Sequence, residues 1–190
     1  DEIERATNLL HPRQLGRRKF TGTLIATPGY TNNFFYDVAQ TALSDMPVAS
    51  KTGKWCNKLG LPVADDKLTL GFLPFSNEIR MGERVTDEGY AAADCTPIEK
   101  GVLKSFMLTR HGAAKSGYPR RANGMSGMCV APGDTALENI IANTKQGILM
   151  GRYSGTTPDV SGELSGVAKN SFYIEDGKIL YPLVETMMSG

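Results

Sequence analysis

Asp37 lies within NNFFYDVAQTAL, residues 32–43, as the one carboxylate on an otherwise apolar helical pattern. Phe35, Val38, Ala39 and Ala42 recur at the three-and-four spacing of a core-facing stripe. A carboxylate there does chemistry only with partners, and the chain offers few. The two histidines, His11 and His111, are far apart, and neither has a ligand one helical turn away. A protein-held zinc site uses short His and Cys spacings to aim several lone pairs at one point. Cys56, Cys95 and Cys129 stand in no metal or redox spacing, and pairing Cys95 or Cys129 with His111 has no local signature. GMSGM at 124–128 and GELSG at 162–166 miss the register of a nucleophile elbow. ANGMSGM lacks the Lys-Ser/Thr of a phosphate loop and runs into a strand, where a phosphate cradle needs a helix N-terminus. The acid pairs Asp65-Asp66 and Asp87-Glu88 fall in loops, where water solvates them. Of the basic clusters, Arg17-Arg18-Lys19 reads as a solvated face. Arg120-Arg121, with Asn123 in the same glycine-bearing loop, is the better candidate for holding a peptide or carboxylate, because a guanidinium fork matches a carboxylate.

The elements that must position these residues follow from periodicity and turn residues. Apolar residues make up 41% and charged residues 22% of the 190, ordinary for a globular protein able to bury a core. The 21 basic and 20 acidic residues leave a net charge of +1, which argues against direct nucleic-acid contact and against an anionic membrane surface. No apolar run approaches the roughly 20 residues of a membrane span. The acidic, amphipathic DEIERATNLL does not read as a signal peptide, and an odd cysteine count fits reduced thiols in a cytoplasm.

Residues 1–10 are expected to form a short helix ended by His11-Pro12. A strand near 20–27 is closed by Pro28-Gly29, and the helix of Asp37 follows with Thr31 or Asn32 as N-cap. A second helix is expected at about 50–59, stopped by Gly60, and a strand at 67–73. Residues 76–90 and 118–127 read as long irregular loops. TPIEKGVLKSFML predicts a hairpin about Glu99-Lys100-Gly101, TRHGAAKSG a brief helix capped by Gly117, and MCVAP a strand. Thr135 to Glu138 reads as a capping box opening a helix through Lys145, with Leu137, Ile140, Ile141 and Thr144 buried. The remainder is β-rich, with Asp176-Gly177 as a two-residue turn. The expectation is a single α+β domain over residues 1–190, mostly antiparallel sheet in a sandwich or partly closed barrel, with a few packing helices.

The order of these motifs resembles the C-terminal domain of the TldD/PmbA family, historically called modulators of DNA gyrase and regarded as peptidase components. RRKFTGTLIATPG resembles the family's opening strand and turn. PIEKGVLKSFMLTRHGAAKSG is similar to its Ile-Glu-Asn-Gly-Val-Leu-Lys hairpin and following helix. MCVAPGDTALENIIANTKQGILM is similar to its Pro-Gly, helix, Gly-Ile/Leu segment. SGELSGVAKNSFYIEDGKILYPLVETMMSG resembles the closing signature. The resemblance spans nearly the whole chain and implies that the family's N-terminal domain and extreme C-terminal segment lie outside it.

In the family's catalytic subunit, a helix eight residues past the proline carries His-Glu-x-x-x-His, with zinc on the imidazoles and the Glu as general base. The matching positions here are Tyr36, Asp37 and Thr41. Two nitrogen donors have become neutral oxygens, and the acid is one methylene shorter. The resemblance therefore implies a PmbA (TldE)-like, zinc-motif-lacking subunit that holds no cofactor itself. Such a subunit would pair with a TldD-like catalytic subunit, or with itself, around small or unfolded peptides in the cytoplasm. Two alternatives stand beside it: a hydrolase with a diverged site using Asp37, and a self-associating peptide-binding scaffold.

Overall fold

A computed structural model describes residues 7, 9–15, 19–79, 82–121, 125–156, 158–159 and 162–190. Helices are interspersed among strands up to Ala142 and strands alone follow from Gln146, and the fold is α+β with mostly antiparallel pairing. The chain divides into two compact units. One comprises Asp1–Asn33, Asp134–Thr157 and Leu164–Gly190; the other comprises Phe34–Gly133 and Pro158–Glu163. The predicted helix at 1–10 falls mostly on residues outside the described ones.

The first unit is built on β1 (Thr23–Ala26), β6 (Gln146–Met150), β7 (Arg152–Gly155), β8 (Ser165–Lys169), β9 (Ser171–Glu175), β10 (Lys178–Leu183) and β11 (Thr186–Ser189). They form two open sheets, ordered β1-β6-β9-β10 and β11-β8-β7, with β1–β6 the parallel pair. The two sheets share one meander. β6 pairs with β9 and β7 with β8 in a single continuous register, from Gln146↔Glu175 through Arg152↔Lys169 to Gly155↔Gly166. The ladder breaks at Gly151 and Asn170, where Asn170 takes φ 49° and a Cβ on Gly151 would collide with the Asn170 carbonyl. The third strand of the meander, β10 into β11, turns from one sheet to the other at Val184-Glu185. Asp176 and Gly177 both have positive φ (47° and 76°), the geometry of a two-residue type I′ hairpin. Ile25, Ile148, Met150, Ala168, Tyr173, Ile174 and Leu183 are buried in this unit.

The second unit carries the sheet β4-β3-β2-β5, made of β2 (Leu70–Phe72), β3 (Cys95–Glu99), β4 (Val102–Leu103) and β5 (Met128–Val130). The β3–β4 hairpin turns at Lys100-Gly101, both at positive φ (46° and 73°). Its core joins Leu70, Phe72, Ile98 and Leu103 to Phe106, Met107 and Leu108 and to Ala39, Ala42 and Leu43 of helix α1 (Pro28–Leu43).

Several local expectations are corrected. Helix α1 starts at Pro28, so neither Thr31 nor Asn32 is its N-cap. Proline suits the first helical position, where its missing N–H would have no intrahelical partner. Thr31 lies inside the first turn, its hydroxyl donating to the Thr27 carbonyl at 3.0 Å. The helix expected at 50–59 is instead α2 (Asp45–Ala49), with Pro47 in its first turn. Lys51, at φ 58°, leaves the helical region, and Gly53 to Lys58 make successive isolated turns whose spacing imitates a helix. Helix α4 (Leu137–Ala142) is shorter than expected and has no capping box: Ala136 is its N-cap, and the Thr135 hydroxyl turns to Asp134. The Thr144 hydroxyl donates back to the Ile140 carbonyl at 2.8 Å. Only Thr144 of the expected face is buried, because α4 lies at the surface with Leu137 and Ile140 exposed.

Helix α3 (Arg110–Ser116) ends at Gly117, φ 78°, as expected. Its start is held from a distance. Asp45 Oδ1 accepts the Thr109 N–H at 2.9 Å, and Oδ2 accepts the Thr109 hydroxyl. That same hydroxyl oxygen caps α3 by accepting the N–H groups of His111 and Gly112. A Cβ on Gly112 would collide with the Asp45 carboxylate, so the approach requires glycine. Asp45→Ala is expected to lower the unfolding free energy by about 2–4 kcal/mol in urea titrations, since hydrogen bonds to a charged group are the strong ones. Asp66→Ala, on an exposed acid, should stay within about 0.5 kcal/mol of the unmodified chain.

Candidate functional site

Helix α1 presents Tyr36 outward at 40% exposure, and its phenol oxygen accepts the Gln40 side-chain N–H at 3.0 Å. Thr41, one turn beyond Asp37, is half-buried, and its hydroxyl donates to the Asp37 carbonyl at 3.0 Å. That back-bond points its hydrogen at the helix's own backbone. Asp37 is half-buried between them, with no described residue hydrogen-bonded to its carboxylate. Burial pushes its pKa above the ordinary carboxylate value. Two neutral hydroxyls already engaged in hydrogen bonds and one carboxylate do not fit zinc, which is held by imidazole, thiolate and well-oriented carboxylate donors. Among the described residues, no three His, Cys, Asp or Glu side chains converge as a metal site.

His111 is exposed at the start of α3, and Cys95 has its sulfur 3.4 Å from the Ser105 hydroxyl. The two long loops expected at 76–90 and 118–127 meet at Tyr90 and Arg120. The Arg120 guanidinium lies over the Tyr90 ring, 3.7 Å from its centroid. Arg121 diverges: its side chain is exposed, while its N–H donates to the Leu108 carbonyl at 3.2 Å. Asn123 lies outside the described residues. Tyr90 belongs to a tight turn. The Thr86 N–H donates to the Tyr90 carbonyl at 2.8 Å, and the Tyr90 N–H donates to the Thr86 hydroxyl at 3.2 Å. Glu88, at the tip of that turn, accepts the Arg110 N–H at the start of α3. Sequence reasoning missed Tyr90, for which the lone aromatic after Gly89 in a polar stretch was the available signal, and read Glu88 only as a solvated loop acid.

The first unit holds a groove of about 970 Å³, lined among others by Thr23, Leu24, Leu164, Ser165, Thr186 and Met187. β1 and β11 both contribute to it. Each is the edge of its sheet, with no second strand partner among the described residues.

Residues 20–190 match the family model of the PmbA/TldA metallopeptidase C-terminal domain. The chain belongs to that family. It is similar to a metalloprotease of Methanothermobacter thermautotrophicus, 30% identical over 158 residues, covering 77% of this chain and 33% of that protein. A metalloprotease PmbA homolog of Buchnera aphidicola is 25% identical over 93% of this chain and 41% of its own length. The chain thus spans less than half the length of these relatives. Among solved structures, a protein from Bacteroides thetaiotaomicron described as a modulator of DNA gyrase superposes with a TM-score of 0.86, at 25% identity, over 99% of this chain and 42% of that one. TldE from Thermococcus kodakarensis shares the fold, with a TM-score of 0.77 at 21% identity over 99% of this chain and 45% of that one. No helix among the described residues is long and apolar enough to cross a membrane.

The raised Asp37 pKa carries a sign. The native state keeps the proton to higher pH than the unfolded chain, so stability falls as pH rises from the ordinary carboxylate value through the folded pKa. Asp37→Asn should therefore stabilise the chain slightly at pH 7, by about 0.5 kcal/mol or less, with the gain shrinking toward acid pH. Urea midpoints measured at neutral and acid pH read this difference.

Proposed function

We propose that this chain is a non-catalytic subunit of a TldD/TldE-type metallopeptidase, contributing to assembly and to the chamber that receives small or unfolded peptides. The observation that carries this reading is helix α1. Its Ala39, Ala42 and Leu43 pack in the core, and on the sequence resemblance its Tyr36, Asp37 and Thr41 match the positions where the family's zinc ligands and base would stand. A helix whose buried face is retained without its polar chemistry has a structural duty, and catalysis then falls to a partner that keeps His-Glu-x-x-x-His. The unpaired edges of β1 and β11 along the groove of the first unit suit an extended peptide, which can add to a sheet edge through main-chain hydrogen bonds.

A second reading takes Asp37 as the base of a diverged hydrolase, since a carboxylate whose pKa is raised by burial is a recurrent feature of catalytic acids and bases. Cleavage that survives a chelator but is lost in Asp37→Ala favours it.

The test is to purify the chain alone and mixed with a TldD-type catalytic subunit. Alone, it should hold no stoichiometric zinc and cleave no unfolded peptide; mixed, it should co-elute with the partner, and cleavage should appear. Stoichiometric zinc with peptidase activity in the isolated chain overturns the proposal. A homodimer that ignores the partner in light scattering points instead to the scaffold.

A further inference from the structure

We draw no further inference here: the strongest candidate, the exposed apolar surface that Leu137 and Ile140 of α4 form beside Ile179 and Leu180 of the edge strand β10, carries none, because nothing in the structure shows what covers it.

Discussion

The contact on which most of the second unit depends is the Asp45 carboxylate against Thr109, across 64 positions of chain. One carboxylate binds both the N–H and the hydroxyl of a single residue, and that hydroxyl's oxygen accepts from the next turn. Charge on the acceptor makes the pair stronger than an ordinary neutral hydrogen bond. It docks α3 against α2, with Gly112 admitting the approach that a methyl group would block. The buried run Phe106 to Leu108 is thereby delivered to the core, and Leu108 in turn receives Arg121. The same α3 start anchors Glu88 and its turn. Core, cap and the Tyr90 turn share one anchor.

The first unit solves a different problem. A meander as long as residues 146–189 would be a strongly twisted ribbon with long exposed edges. Breaking it at Gly151 and Asn170 without shifting register lets the strands serve two short sheets. Leu24 and Met187 remain exposed on the outermost strands. Native sheets generally suppress such edges, so two of them lining one groove are a functional liability retained, consistent with the proposed peptide role.

Helix α1 buries one face and leaves its polar side chains toward the other. Its apolar face, Ala39, Ala42 and Leu43, is buried, while Tyr36 is exposed and Asp37 and Thr41 are half-buried. On the proposed reading, the helix persists for its packing without the chemistry of the site.

What the sequence by itself determined is what short-range chemistry dictates. Lys100-Gly101 and Asp176-Gly177 announced their hairpins, because left-handed pairs admit few residues. Gly117 ended its helix for the same reason, and the absence of histidines at 36 and 41 was plain in the sequence. Where residues admitted two local readings, the sequence was insufficient. Pro28 closes a turn or opens a helix, and the spacing of Trp55 and Cys56 serves a helix or a series of turns. The Thr135 hydroxyl could have capped a helix and turned to Asp134 instead. Tertiary structure alone decided that Asp45 meets Thr109, that Gly151 and Asn170 break the ladder, and that Tyr90 covers Arg120 while Arg121 turns away. Each of these is a contact between segments distant along the chain. Its energy comes from burial and charge that exist only once the core has assembled.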